Sequence, residues 1–245
     1  MKTLYPLLLL LCFPLVSLAE ASPLKIGLIG DSTVCDYSAS SSKRGWGQML
    51  AEFFVPGTEV INFAKGGLSS KSFPKESWKA LLAKKPDFIF IQFGHNDMKR
   101  RDPNRYTRPE IEYRLNLRQF AEEAKATGAV PIFVTPVRRR TFENGKLTEE
   151  LRPYAEAMKA ESAALSVLLI DLYESSGHRF AELGEERSTS YTINFIDQDD
   201  RPGQGDRSHF TEFGAREIAR MVITEASQKE PRIKAALRPS ISVLP

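Results

Sequence analysis

Five short apolar runs alternate along this chain with stretches of helical periodicity, and that alternation leaves few folds open. The runs are residues 25–29 (KIGLI), 59–63 (EVINF), 87–92 (DFIFIQ), 130–134 (VPIFV) and 167–170 (VLLI). Each is too short for a helix, and the third is continuously apolar, as in a strand buried on both faces. Pro131 stands near the start of its run, where a strand tolerates it. Between the runs, Tyr113, Leu117, Phe120, Ala121 and Ala124 form one helical stripe, and Gly128 stops it. Leu151, Tyr154, Ala155, Met158 and Leu165 form a second stripe; Ala215, Ile218, Ala219 and Val222 form a third. Residues 46–54 and 77–83 are shorter helical segments. Strands alternating with helices predict an α/β fold: a five-stranded parallel sheet with helices on both faces. Such a sheet binds ligands at the carboxyl ends of its strands.

Composition agrees with one soluble domain. The 245 residues are 42% hydrophobic and 27% charged, which excludes a disordered, collagen-like or multi-span membrane chain. A net charge of +3 is too small to argue for nucleic acid. The first residues read as a targeting segment. Lys2 supplies a positive start, residues 4–18 carry no charge, and Ala19 and Ala21 offer small-residue cleavage sites. The run is shorter than the roughly 20 residues that cross a bilayer, and Pro6 and Pro14 interrupt it. The expectation is a signal peptide over 1–19, cut after 19 or 21, and a secreted or periplasmic protein with no stable membrane association. Residues 22–228 would form the domain and 229–245 a polar surface tail. Cys35 is then the one cysteine left, so no internal disulfide can form.

The first three apolar runs end in small or polar residues: Gly30-Asp31-Ser32-Thr33, Asn62 to Ser69 with Gly66-Gly67, and Gly94-His95-Asn96-Asp97. Asp206-Arg207-Ser208-His209 precedes the last helix. One such ending is a turn; four that can meet at one sheet edge suggest a site. Ser32 would stand exposed after its strand, but a hydroxyl needs a base to become a nucleophile. His209 is the natural base, and Asp206, three residues earlier, can hold its tautomer. The Gly67 N–H and the Asn96 amide can both point at a developing oxyanion.

In order and content these four blocks resemble the SGNH, or GDSL-type, hydrolase superfamily over residues 25–226. The resemblance implies a three-layer α/β/α, flavodoxin-like fold and ester hydrolysis without a cofactor. It implies Ser32 as nucleophile, His209 as base, Asp206 as its orienter, and an oxyanion hole of the Ser32 N–H, the Gly67 N–H and the Asn96 side chain. Gly30 to Val34, Gly94 to Asp97 and Thr135 to Arg140 are similar to rhamnogalacturonan acetylesterases, secreted enzymes that deacetylate pectin. An acetylated polysaccharide is then the expected partner. The rivals are an esterase for acetylated xylan, a lipid or a thioester, and a non-catalytic carbohydrate-binding protein, which would need a broken triad.

The blander readings concern the flanking residues. Asp31 and Asp97 read as loop braces, His95 as a neighbour of the site, and His178 as surface. The basic runs 99–101 and 138–140 are of a kind usually solvated, or paired with the acidic stretch 197–200. Both also follow loops at the active edge, so Arg139 and Arg140 are expected to favour an acidic polymer. A metal held by His95, Asp97, Asp199 and His209 is not expected, because no metal-ligand spacing such as H-E-x-x-H appears.

Overall fold

The computed structural model describes residues 23–194 and 205–239. The expected signal peptide and its cleavage sites, and the acidic stretch 197–200 with Asp199, lie outside the described residues. Five parallel strands form the central sheet: β1 (Lys25–Gly30), β2 (Glu59–Asn62), β3 (Phe88–Gln92), β4 (Val130–Val134) and β7 (Leu168–Ile170). Their order is β2-β1-β3-β4-β7. A two-stranded hairpin, β5 (Phe142–Glu143) with β6 (Lys146–Leu147), interrupts the βα alternation after β4. Each sheet strand begins and ends within one residue of its predicted run.

The period of two along the strands sorts side chains to two cores. Ile26, Leu28, Phe88, Phe90, Ile132, Val134 and Ile170 face one cluster, Ile29, Ile89, Ile91 and Phe133 the other. The first cluster is covered by α1 (Trp46–Met49), α5 (Leu172–Arg187), α6 (Glu212–Lys229) and α7 (Pro231–Ala235). The second is covered by α2 (Lys75–Ala83), α3 (Arg114–Ala126) and α4 (Arg152–Leu165). These three layers match the predicted α/β/α fold. α5 was not anticipated: its serines, glycines and charges blur the apolar stripe, and its axis breaks at Gly184, where φ is +70°.

Strand order reverses between β1 and β3, so the connections leaving them run to opposite faces. That reversal opens a crevice at their carboxyl ends. Pairing in register from Ile26↔Phe88 to Gly30↔Gln92 brings both strand ends to this crevice.

The tail expected from residue 229 needs correction. α6 continues to Lys229, and α7 packs back on the first core with Ile233 and Ala236 buried. Leu237 bridges to Phe54, and the Arg238 N–H donates to the Phe53 carbonyl at 3.0 Å. The polar stretch hides one apolar residue per turn, too few for periodicity to register; residues 240–245 lie outside the described residues. Ile233→Ala should therefore cost about 2–5 kcal/mol in urea unfolding, the range for truncating a buried isoleucine. A cost below about 0.5 kcal/mol would place Ile233 on a solvated tail.

Candidate active site

Ser32 lies two residues beyond β1, in a turn closed by Asp31. The Val34 and Cys35 N–H groups donate to the Asp31 carbonyl at 3.1 Å. The Asp31 carboxylate accepts from the Thr33 N–H at 2.8 Å and the Thr33 hydroxyl at 2.7 Å. Tyr37 Oη donates to the Ser32 carbonyl at 2.9 Å. A buried chain ties this turn to β3: Trp46 Nε1 donates to Gln92 Oε1 at 2.9 Å, and Gln92 Nε2 donates to Thr33 Oγ1 at 2.6 Å. The Ser32 backbone therefore has little freedom, while its side chain stays half-buried at the cavity edge.

His209 reaches Ser32 from the other end of the chain. It precedes α6, whose N-cap Thr211 accepts from the Gly214 N–H at 3.0 Å. Its segment is pinned on both sides, Arg44 N–H donating to the Phe210 carbonyl at 3.0 Å and Ile193 N–H to the His209 carbonyl at 3.1 Å. Nε2 of His209 lies 2.9 Å from Ser32 Oγ, and Nδ1 lies 2.7 Å from Asp206 Oδ2. The second oxygen of Asp206 accepts from the Ser208 and His209 N–H groups at 3.1 and 2.9 Å. One carboxylate thus shapes its own loop and orients the imidazole. Burial would raise the Asp206 pKa, but the hydrogen bond and charge of His209 hold it well below the usual carboxylate range.

Two more strand ends complete the cavity. Gly67 takes φ +80°, a conformation that favours glycine, with Arg105 Nη1 3.8 Å from where a Cβ would sit. Asn96 is buried, and its Nδ2 donates to the Leu68 carbonyl at 2.8 Å, which leaves one of its two amide protons for another acceptor. The Ser32 and Gly67 N–H groups have no acceptor among the described residues. Asp97 braces these loops as a buried acceptor for the Gly94 N–H, the Ser70 N–H and hydroxyl, and the Thr107 hydroxyl. Burial pushes its carboxyl up to about 6 against those hydrogen bonds. The cavity holds about 340 Å³, with Ser32, Gly67, Asn96 and His209 in its lining.

The basic run 138–140 is not solvated. Arg138 stacks 4.7 Å over the Tyr173 ring and pairs with Glu149 at 2.7 Å. Arg139 is buried, pairs with Glu150 at 3.6 Å, and lines the cavity. Arg140 is buried away from the cavity lining, donating to Thr192 Oγ1 at 3.0 Å, to the Glu185 carbonyl at 2.7 Å and to Asn194 Oδ1. Of the two arginines expected to meet substrate, Arg140 instead clamps α5 to the segment after it. Three adjacent cations look solvated in sequence because their acceptors lie 11 to 54 residues downstream. In the other run, Arg100 and Arg101 are exposed and Lys99 lines the cavity. Lys43, 3.5 Å from Asp206 Oδ2, and Arg105 also line it. Sequence reasoning missed both, since each lies in a loop with no pattern of its own. His95 sits 3.4 Å from Asp31 through Nδ1 and lines the cavity, and His178 is exposed.

The GDSL-like lipase/acylhydrolase family matches residues 26–222. The chain belongs to this family. It is 42% identical over 200 residues to a probable rhamnogalacturonan acetylesterase of Bacillus subtilis, covering 80% of this chain and 89% of that one. It is 38% identical over 209 residues to a rhamnogalacturonan acetylesterase of the same organism, covering 82% and 88%. Among solved structures, an acetylxylan esterase of Geobacillus stearothermophilus superposes with a TM-score of 0.62 at 19% identity, over 84% of this chain and 95% of that one. That likeness shows a shared fold.

The Asp206 shift has a sign that can be tested. Folding lowers this pKa, so the carboxylate stabilises the fold above about pH 4, the ordinary range of a free aspartate, and the contribution is lost as pH falls through the depressed folded value. Asp206→Asn should be less stable than wild type near neutral pH. The gap in urea midpoint should narrow between about pH 5 and about pH 3. A gap constant over that interval would contradict the pairing with His209.

Proposed function

We propose that the protein is a carbohydrate O-acetyl esterase that removes acetyl groups from pectic rhamnogalacturonan outside the cytoplasm. The observation that carries this reading is the unbroken hydrogen-bonded chain Asp206–His209–Ser32 beside three backbone and amide donors that converge on one cavity. A non-catalytic sugar-binding protein has no use for an intact chain of this kind. The two Bacillus relatives support the substrate. The leader expected over residues 1–19, with Lys2 ahead of the uncharged stretch 4–18, supports the location.

In this mechanism Ser32 Oγ attacks the acetyl carbonyl while its proton passes to His209 Nε2. The Asp206 carboxylate faces Nδ1–H and stabilises the imidazolium that forms. The carbonyl oxygen becomes an oxyanion facing the Ser32 and Gly67 N–H groups and the Asn96 amide. Collapse breaks the bond to the sugar oxygen, which leaves with the proton from His209. Water then attacks the acetyl-enzyme, giving its proton to His209. Acetate departs as Ser32 Oγ recovers the proton. The residues supply base, orientation and charge stabilisation, so the cycle closes without a cofactor.

Ser32→Ala should lower kcat for acetate release by about 10⁶ with the fold unchanged, the scale of nucleophile loss in a serine hydrolase. Turnover within about tenfold of wild type would refute the mechanism. Asn96→Ala should lower kcat by about 10²–10³ with a smaller change in KM, because its amide is most needed when the oxyanion forms. A change confined to KM would make Asn96 a ground-state contact. Acetate release measured across acetylated rhamnogalacturonan, pectin and xylan tests the substrate; a preference for xylan would overturn it.

A further inference from the structure

The cavity lining is unbalanced in charge. Among the described lining residues, four are cations, Lys43, Lys99, Arg105 and Arg139, and Asp206 is the one carboxylate. Lys43 pairs with Asp206 at 3.5 Å, Arg139 with Glu150 at 3.6 Å and Arg105 with Asp102 at 2.5 Å. Arg105 is placed differently. Its Nε donates to Asp102 Oδ2 at 2.5 Å and its Nη1 to the Gly67 carbonyl at 3.4 Å. The other donors of the guanidinium, both Nη2 protons included, meet no acceptor among the described residues, and the side chain is 31% exposed.

The loop does not need the guanidinium to close. Arg105 and Tyr106 N–H donate to the Asp102 carbonyl at 3.1 and 2.8 Å, and Thr107 N–H donates to the Asp97 carbonyl at 3.1 Å. Asp102 instead fixes the plane of the fork from outside the cavity. A planar fork held at one edge and open at the other is the arrangement that takes a carboxylate in two parallel hydrogen bonds. Arg105 reaches the carbonyl of Gly67, the residue whose N–H would face the reacting acetyl group, so anion and ester would sit near one another in the cavity.

We infer that Arg105, with Lys99 in the same cavity lining, forms a carboxylate subsite, so that the acetylated sugar is itself a uronate or is joined directly to one. This rests on the proposed deacetylation of a polysaccharide and adds which chemical group selects the polymer. It moves the acidic-polymer preference away from Arg140, whose donors are spent inside the fold. A neutral acetylated xylan segment offers this fork no carboxylate.

The test separates binding from turnover. The Ser32→Ala enzyme holds substrate without cleaving it. Calorimetric titration at low salt compares an acetylated galacturonate–rhamnose oligosaccharide with its methyl ester, which keeps the shape and removes the charge. The acid should bind about tenfold or more tighter, the scale of a charge-assisted hydrogen bond. Adding Arg105→Gln should remove most of the difference between the two ligands. Arg105→Lys should retain part of the preference, keeping the charge and losing the fork, and Lys99→Gln should weaken it less than Arg105→Gln. Thermal melts of each variant check folding, and a ratio of two ligands on one protein is insensitive to a general loosening of the Gly67 loop. Equal affinity for both ligands in the Ser32→Ala parent, no measurable binding of the acid, or a preference unchanged by Arg105→Gln would each overturn the subsite. Acetate release by the wild-type enzyme distinguishes the two failures. Release from acetylated rhamnogalacturonan with equal ligand affinities refutes the subsite and keeps the function, whereas release from xylan alone refutes both.

Discussion

The parallel pairing of β1 with β3, held in register from Ile26↔Phe88 to Gly30↔Gln92, is the constraint on which the site depends. At this pair the strand order reverses and the covering helices part to opposite faces, so a crevice opens without any special device. Ser32 lies two residues past one strand and Asn96 four past the other. Gln92 adds a lock that backbone pairing alone would lack: its amide, buried between Trp46 and Thr33, ties the Ser32 turn to the strand that leads to the Asn96 loop. A buried amide without those partners would cost its full desolvation, so the turn and the strand end hold each other in place.

Around that pair, buried charges brace the loops. Asp97 gathers donors from three separate segments, Gly94, Ser70 and Thr107, and so fixes the loop that carries Asn96 against the loop that follows Gly67. Arg140 does the same on the far side, joining the end of α5 to Thr192 and Asn194. The adjoining Ile193 in turn bonds the His209 carbonyl. Asp206 divides its two oxygens between its own turn and the imidazole. Groups set on loops are thereby held by several buried hydrogen bonds each, the arrangement a preorganised site requires. Between these loops, the described cavity lining carries Lys43, Lys99, Arg105 and Arg139.

Much of this was legible in sequence, for definable reasons. The strands are short, apolar and separated by helical stripes, so their existence and parallel direction follow from local pattern, while their order in the sheet does not. Ser32, Gly67, Asn96, Asp206 and His209 each sit in a short block whose residue types serve one chemistry, and the blocks occur in order. Asp31 and Asp97 were readable as braces because each lies inside such a block. What escaped depends on partners distant in the chain. Arg138 to Arg140 look like surface until α5 and the segment after it fold over them. Residues 231–238 look like a tail until α7 turns its apolar side to the first core. Lys43 and Arg105 reach the cavity from loops that carry no pattern, and only the three-dimensional arrangement brings them to it.

The central claim is that Ser32 alone carries the acyl group, made reactive by the chain through His209 to Asp206. An organophosphorus fluoridate, which phosphonylates a serine only where a base and an oxyanion site stand beside it, tests this without altering the protein. Titration followed by peptide mapping by mass spectrometry should show one equivalent of label per chain, located on Ser32, with esterase activity falling in proportion to labelling. Activity lost while the label sits on another residue, or activity retained in enzyme fully labelled at Ser32, would contradict the account.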